Sequence, residues 1–269
     1  MPELPEITSR AREMKKELVG KTIAGVEVLQ PKCLNVPAKA FARALTGARL
    51  LDVTSRGKWI YVKTTKGWIL LNLGMGGEVL LVTRAKLPKK YRLVIDFKDR
   101  SCLAVNFWWF GYVHYVAPEK LASHRMTAEL GPNALDVTAE DLRTMFRGRR
   151  ERVKSFLLNQ SRIAGIGNAY VHDILFLARL HPLRTVDRLK EADVERLASA
   201  IRQGLEPSAK KGGAFYELNL YGKKGRFQMK DILIGYREGQ KCPECGTKIV
   251  KIKTGSTSSF ICSTCQPRK

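Results

Sequence analysis

Hydrophobic positions open the chain at helical spacing and then change to an alternating pattern. Apolar residues first recur every three or four positions, at Ile7, Ala11, Met14 and Leu18. This spacing predicts one helix over residues 3–19, ending near Gly20. Up to about residue 120, β-branched residues then alternate with polar ones in short runs such as RLLDVTSRGKWIYVKT and GWILLNLGMGGEVLLV. Alternation of this kind predicts antiparallel strands that form a sandwich or barrel.

A mainly helical region follows the alternating runs. A Gly-Pro pair at 131–132 marks a linker. Thr138 followed by Asp141 is typical of a capping box, and helical spacing covers about residues 135–210. The sequence Lys-Lys-Gly-Gly at 210–213 then opens a loop rich in Gly and Lys, which we expect to be mobile.

Cysteines are grouped near the C-terminus in two Cys-x2-Cys pairs separated by sixteen residues: Cys242, Cys245, Cys262 and Cys265. Two close pairs of thiolates suit one tetrahedral zinc ion at ~2.3 Å per bond. The segment between them predicts a β-hairpin too short to have a core of its own, so zinc is expected to supply its folding energy. A redox pair or an iron–sulfur site is the alternative. Cys33 and Cys102 stand alone and are expected to be buried.

The net charge of the chain indicates which kind of molecule it binds. The 269 residues carry 48 Lys and Arg against 25 Asp and Glu, a formal charge of +23. Such a charge points to a polyanion, either nucleic acid or an anionic membrane surface. The basic residues are spread over the whole chain, which favours nucleic acid. The sequence has neither an apolar stretch of ~18 residues nor a secretory signal. We expect a cytoplasmic protein without a membrane partner, and we expect it to be a monomer.

The opening residues MPELPEI allow two interpretations. Pro and Glu are common in a first helical turn, because Glu there complements the helix dipole. Alternatively, the chain end itself carries out chemistry. An α-amino group has a pKa near ~7.8, so roughly a tenth is neutral and nucleophilic at pH 7, against well under ~0.1% of an ordinary Lys.

A glycine-containing loop is the third candidate for a functional site, after the cysteine pairs and the chain start. Gly165 and Gly167 precede Asn168 at a predicted helix start. Glycines allow close backbone approach, and free N–H groups at a helix N-terminus bind phosphate. A tight turn with Asn168 as N-cap explains the same residues, and spacing alone leaves both interpretations open.

Taken in order, PELPE, RGK, LGMGG, AGIGNAYVHDILFLARLHP, GRFQ and the four-cysteine segment resemble the formamidopyrimidine-DNA glycosylase/endonuclease VIII family, closer to its formamidopyrimidine side. The resemblance implies an α+β multidomain fold. An N-terminal antiparallel β-sandwich with a leading helix would occupy residues 1–130 and a helix-two-turn-helix domain 131–235. A four-cysteine zinc-finger hairpin would occupy 236–269, with DNA in the cleft between the domains.

The resemblance also implies catalytic roles at the chain start. Once the initiator Met is removed, Pro2 would attack C1′ of the damaged nucleotide and form an imine. Glu3 would assist base release and the imine steps, and Glu6 is grouped with it as a catalytic candidate. Lys58, in the RGK hairpin, would lie near the lesion.

Five further residues are predicted to contact DNA. Met75 and Phe110 resemble side chains that fill the gap left by an everted base, an eversion needed because the target atoms are buried in the stack. Lys154 and Asn168 resemble phosphate contacts. Trp108 occupies the position where the family's DPRRFG segment has an arginine that pairs with the opposite base.

Three departures from the family affect specificity. Trp108 and Trp109 can only stack or wedge, which predicts weak preference for the opposite base; alternatively, both pack into the sandwich. Thr257 stands where the finger carries a phosphate-binding arginine, so bent DNA should be held less well. The loop before GRFQ is about two residues short, which weakens the case for 8-oxoguanine as a substrate.

The sequence therefore predicts a base-excision glycosylase with abasic-site lyase activity on oxidised or ring-opened bases or abasic sites in duplex DNA. A non-enzymatic protein that binds damaged or bent DNA is the second hypothesis, motivated by the departures. A zinc-ribbon RNA-binding protein is the third; it fits the charge but leaves PELPE unexplained.

Overall fold

The computed structural model describes residues 1–268, which form two compact units. Unit 1 contains Met1–Glu129 together with Lys211–Arg226. Unit 2 contains Leu130–Lys210 and residues 227–268. Residues 211–226, placed by sequence in the middle domain, thus belong to the N-terminal unit, and the cysteine hairpin shares a unit with the helices.

Unit 1 contains two helices and eight strands. They are α1 (Leu4–Leu18), β1 (Ile23–Val28), α2 (Ala38–Leu45), β2 (Leu50–Arg56), β3 (Trp59–Thr64), β4 (Gly67–Asn72), β5 (Glu78–Thr83), β6 (Leu93–Phe97), β7 (Ser101–Asn106) and β8 (Tyr112–Val116). The strands make two four-stranded sheets, in the orders β1-β6-β7-β5 and β2-β3-β4-β8. Every pairing within them is antiparallel, as the alternation predicted.

One hydrophobic core joins both sheets and α1. The four apolar residues predicted to line one face of α1 are all buried in it. Side chains such as Ile95 and Leu103 from the first sheet and Val62 and Ile69 from the second complete the core. The sandwich with a leading helix is confirmed, and Cys33 and Cys102 are buried as expected.

Residues 211–226 are anchored in this sandwich. Leu220 is completely buried in the core, its carbonyl accepts a hydrogen bond from Leu81 on β5, and its N–H donates to Glu13 of α1 at 2.8 Å. The Tyr221 hydroxyl donates to Glu17 of the same helix, also at 2.8 Å. The segment that the sequence suggested to be a mobile loop is therefore tied to α1 and to a sheet edge.

Unit 2 contains four helices and one hairpin: α3 (Ala139–Phe146), α4 (Val153–Leu158), α5 (Val171–Leu177), α6 (Glu191–Lys210), β9 (Val250–Lys253) and β10 (Ser258–Ile261). The predicted capping box starts α3, where the Thr138 hydroxyl accepts from the Asp141 N–H and the Asp141 carboxylate accepts from the Thr138 N–H. Close contact of α5 with α6 requires Gly204, because a Cβ there would lie 2.6 Å from Ile174.

The cysteine hairpin packs against α5. Phe176 of α5 shares a small core with Phe260 of β10 and with Cys242 and Cys262. The buried carboxylate of Asp173 accepts hydrogen bonds from the N–H groups of three consecutive residues, 233–235, at 2.8–2.9 Å. These bonds fix the chain that leads into the hairpin, so the helices and the hairpin are held as one unit.

Candidate functional site

The chain start forms a buried cluster of acids at the beginning of α1. Pro2 and Glu3 are buried directly before the helix, with Glu3 as its N-cap. The Glu3 N–H donates to Oε2 of Glu6 at 2.9 Å, as part of a capping box. The helix-start interpretation of PELPE is therefore confirmed, and the same geometry fixes the backbone around the Pro2 nitrogen.

Glu6 links the helix start to residues 211–226. Its Oε2 accepts a hydrogen bond from the Glu3 N–H, and its Oε1 accepts one from the Ala214 N–H at 3.0 Å. Gly213 allows this approach: its φ is +99°, and a Cβ there would lie 2.9 Å from Glu6 Cγ. Both carboxylate oxygens hold backbone N–H groups, which makes Glu6 a structural tie in this geometry. Its predicted catalytic role stays a prediction.

Glu217 is a candidate that the sequence analysis missed. Its side chain is only 9% exposed, and Oε1 lies 3.6 Å from the Met1 amino nitrogen. Burial raises the pKa of Glu217 to about 7, the terminal ammonium opposes the rise, and the nearby Glu6 adds to it. A carboxyl with this pKa takes up and releases protons near neutral pH. Its place in the site could not be read from the sequence, because its neighbours Met1, Glu6 and Arg10 lie more than two hundred residues earlier in the chain.

Lys58 lies where the sequence predicted it. Gly57 and Lys58 form the two-residue turn between β2 and β3, and Gly57 has a φ of +57°. The Lys58 side chain is half-buried, and its carbonyl accepts from the Asn72 amide at 3.3 Å. The sheet that carries this turn packs against α1, the helix that follows Pro2.

Four large side chains protrude together from one face of unit 1. They lie on the β4–β5 loop and the β7–β8 loop, which two backbone hydrogen bonds of 2.9 Å join. The Met75 N–H donates to the Trp109 carbonyl, and the Trp108 N–H donates to the Met75 carbonyl. Trp108, Trp109 and Phe110 are 65–68% exposed, and Met75 is 46% exposed. The alternative that both tryptophans pack into the sandwich is therefore wrong. Exposed apolar groups of this size are typical of a binding surface.

Asn168 lies exposed in the turn between α4 and α5. The preceding glycine loop is held by Gln160, whose amide oxygen accepts the Gly165 N–H and whose amide nitrogen donates to the Ile166 carbonyl, both at 2.9 Å. Tyr170, not Asn168, is the N-cap residue of α5. The suggested N-cap role of Asn168 is thus wrong, and its amide faces solvent at a tight turn.

Lys154 lies in an unexpected environment. Its side chain is 2% exposed, and Nζ donates to the hydroxyls of Thr254 and Thr257, both at 3.0 Å, and to the Ser258 carbonyl at 2.7 Å. Burial lowers the pKa of Lys154 to about 8. The three protons of the ammonium have three protein acceptors in the cysteine hairpin. A direct phosphate contact by Lys154 stays a prediction. In the structure, Lys154 connects α4 to the hairpin through these hydrogen bonds.

The four cysteines converge as their spacing predicted. All four sulfur atoms lie within 4.8 Å of one another, with Cys245 3.4 Å from Cys262, 3.6 Å from Cys265, and Cys242 3.9 Å from Cys265. Sulfurs around tetrahedral zinc at ~2.3 Å are separated by about 3.8 Å. The set therefore fits one structural zinc ion that closes the β9–β10 hairpin.

Within residues 1–268, no helix has the length and apolar composition that a membrane crossing requires.

Three family models match successive parts of the chain. The formamidopyrimidine-DNA glycosylase N-terminal domain matches residues 1–107, the formamidopyrimidine-DNA glycosylase H2TH domain residues 130–218, and the zinc finger found in FPG and IleRS residues 239–268.

Whole-length relatives agree with these matches. The chain is 34% identical to a formamidopyrimidine-DNA glycosylase of Pelotomaculum thermopropionicum, with both chains fully covered. It is 38% identical to the Gluconobacter oxydans protein of the same name over 99% of this chain and 100% of that one. Two Lactococcus lactis Fpg structures, one of a mutant with DNA containing Fapy-dG and one with DNA containing an abasic site, superpose with TM-scores of 0.92 and 0.91. They are 26% and 27% identical, and each alignment covers 99% of this chain and 100% of the other.

Proposed function

The chain belongs to the formamidopyrimidine-DNA glycosylase family, and from that premise we propose that it is a base-excision DNA glycosylase with abasic-site lyase activity. Its substrate is duplex DNA that contains oxidised or ring-opened bases or abasic sites. The observation that carries the proposal is the chain start, where Pro2 and Glu3 lie buried together at the head of α1. The proposed location is the cytoplasm, where a bacterial chromosome would be found.

The proposed nucleophile is the secondary amine of Pro2, exposed when Met1 is removed. Its lone pair bonds to C1′ as the glycosidic bond breaks, and the base leaves with the bonding pair and a proton. Opening of the sugar ring gives an iminium between the Pro2 nitrogen and C1′. Loss of a proton from C2′ then expels the 3′ phosphate, and water hydrolyses the imine and returns the free amine.

Glu3 is the proposed acid–base group for these proton transfers. Its backbone is fixed by the capping box with Glu6, which supports a constant position of its carboxylate beside Pro2. Lys58, on the β2–β3 turn, is proposed to contact the nucleotide that reacts. Glu6 serves the reaction indirectly, because it holds residues 213 and 214 against the helix start.

The proposed DNA contacts fall into two groups. Met75, Trp108 and Phe110 would stack in the space left by an everted base, and stacking on an aromatic side chain tolerates every base. A tryptophan has one N–H donor and no acceptor, so the opposite base would be read weakly. Asn168 would donate a hydrogen bond to a backbone phosphate. Lys154 would hold in place the cysteine hairpin, which lies next to Asn168.

Ring-opened purines and abasic sites are the preferred substrates in this proposal. The family's longer loop covers an everted 8-oxoguanine, whereas residues 211–226 here are tied to α1 and β5 through Leu220 and Tyr221. A segment anchored in this way has little freedom to close over a base. We therefore expect faster excision of formamidopyrimidines than of 8-oxoguanine.

Borohydride trapping tests the proposal. The purified protein, with removal of Met1 confirmed by mass spectrometry, is incubated with duplexes that contain an abasic site, a formamidopyrimidine or 8-oxoguanine, and the imine is reduced to a stable adduct. Pro2→Gly and Glu3→Gln are expected to lose most of the adduct. Pro31→Gly, which changes an exposed proline elsewhere in unit 1, should trap normally.

Absence of adduct with every duplex would refute the catalytic proposal. Tight binding to damaged duplexes without any adduct would instead support the second hypothesis, a protein that binds damaged or bent DNA without reaction. The replacements at Trp108 and Thr257 are the observations that favour this alternative.

A further inference from the structure

Unit 2 has an open pocket of about 310 Å³ between the glycine loop, α5 and the cysteine hairpin. The residues that line it and bear on its chemistry are Asn168, His172, Tyr236, Lys251, Thr257 and Ser258. Its lining includes amide, hydroxyl and ammonium groups together with the Phe260 ring. A phosphodiester group with its nearest waters fits in this volume.

The cation that contacts the hairpin turn already has protein partners. The Lys154 ammonium donates hydrogen bonds to Thr254, Thr257 and Ser258. Thr257 has no charge, and because its hydroxyl accepts from Lys154, its own O–H proton is available to donate to a ligand. The buried ammonium thus prepares the Thr257 hydroxyl as a donor without facing the pocket itself.

His172 adds a neutral donor to the pocket. Its side chain is 3% exposed, and among the described residues its Nδ1 has no hydrogen-bond partner. Burial, and then the positive charge of Lys154, lowers the pKa of His172 to about 3, so the imidazole is uncharged at neutral pH. The ring packs edge-on against Tyr236 and Phe260, with centroids 5.7 and 5.3 Å away. A buried, unpaired ring nitrogen beside a pocket is well suited to hydrogen-bond a ligand.

Lys251 brings the charge. It lies directly opposite Phe260 in the antiparallel β9–β10 pairing, and residues in such a pair place their side chains on the same face. Phe260 packs on His172, so that face is the one that borders the pocket. Lys251 is exposed and lines the pocket. Of the described lining residues, it alone carries a formal charge at neutral pH.

We propose that Lys251 binds a phosphate of the DNA backbone in this pocket, together with Asn168, His172 and the Thr257 hydroxyl, and so supplies the cation that position 257 lacks. The inference rests on the proposed function as a protein that acts on duplex DNA. The positive charge that binds the backbone thus comes from the neighbouring strand β9, while the turn contributes only the neutral Thr257 hydroxyl.

Salt-dependent DNA binding tests the assignment. Affinity of the full-length, zinc-loaded protein for a fluorescent duplex with a reduced abasic site is measured by anisotropy between 50 and 200 mM KCl. Each phosphate neutralised adds about 0.9 to the slope of log K against log salt. Lys251→Ala is expected to lower the slope by about that amount and the affinity by about tenfold. Lys248→Ala removes the same charge from an exposed lysine of the cysteine segment that does not line the pocket, and it should leave the slope unchanged.

A gain-of-function arm separates local from general charge effects. Thr257→Arg added to Lys251→Ala is expected to restore the slope, because it returns one cation to the same phosphate. Bound zinc and the unfolding temperature are measured for each variant to show that the hairpin is intact. An unchanged slope for Lys251→Ala, or equal losses for Lys251→Ala and Lys248→Ala, would overturn the assignment.

The two proposals can fail separately. If imine trapping succeeds while the slope of Lys251→Ala does not move, the enzyme stands and the phosphate site is wrong. If no lesion is trapped while the slope falls as expected, the phosphate site stands and the catalytic proposal is wrong.

Discussion

Glu217 makes the stability of unit 1 depend on pH in a way that one substitution removes. The carboxyl is 9% exposed and lies beside the chain terminus, and burial raises its pKa from 4.5 to about 7. Glu217→Gln keeps the shape and removes the ionisation. The variant therefore lacks the unfavourable free energy of burying a charged carboxylate.

The sign and the size follow from the two pKa values. Below pH 4.5 the carboxyl is protonated in both the folded and the unfolded chain, so it has no effect. Between pH 4.5 and 7 the unfolded chain releases the proton first, which lowers the free energy of unfolding as pH rises. Each unit of pKa difference corresponds to about 1.4 kcal/mol, so the loss reaches about 3 kcal/mol above pH 7.

Urea unfolding followed by tryptophan fluorescence measures this effect. All four tryptophans lie in unit 1, so the signal reports that unit alone. The advantage of Glu217→Gln over the native chain should grow by about 2.5 kcal/mol between pH 5 and pH 8, because part of the loss is already present at pH 5. Both proteins need the same N-terminus, verified by mass spectrometry, and the exposed Glu119→Gln serves as the charge control.

A difference between native chain and variant that stays constant across this pH range would refute the argument. It would show that the Glu217 carboxyl titrates alike in the folded and the unfolded chain, and that burial does not disfavour its charged form.

Three further outcomes are expected. Trp108→Arg should create a preference for cytosine opposite the lesion of about 5- to 100-fold, because guanidinium donors match the two acceptors of cytosine; excision rates with four opposite bases measure it, and unchanged ratios would contradict it. Leu220→Ala should destabilise unit 1 by about 2–5 kcal/mol in urea; a loss below about 1 kcal/mol would show that the segment is not anchored. Removal of zinc by a chelator should disorder the β9–β10 hairpin, seen in its amide NMR signals, and leave unfolding of unit 1 unchanged; persistence of those signals would argue against a structural ion.

Features that depend on neighbours in sequence were predictable. The helix α1, the Thr138 capping box, the Lys58 turn and the cysteine spacing each follow from residues within a few positions of one another. In all these cases the local backbone preference and the burial of apolar side chains favour the same structure. The family resemblance then supplied roles for residues that lie in those local features.

Features that depend on distant contacts were not predictable. Leu220 is held by Glu13 and Leu81, and Glu217, three residues earlier in the same segment, is buried beside the chain start. Lys154 was identified as important, but its direction depends on a hairpin about a hundred residues later. The alternation of Leu218 and Leu220 within a polar loop is the one sequence signal that could have suggested an anchored segment.

The return of residues 211–226 to unit 1 has a consequence for synthesis on the ribosome. Leu220 completes the core of the sandwich, yet it is made about a hundred residues after β8 has left the ribosome. Until then the nascent sandwich has an apolar site open to water, while the helices of unit 2 are already emerging. A fragment that ends at residue 129 would keep this apolar site exposed to water, because it lacks Leu220. An N-terminal fragment should therefore be expressed with residues 211–226 joined to it by a linker.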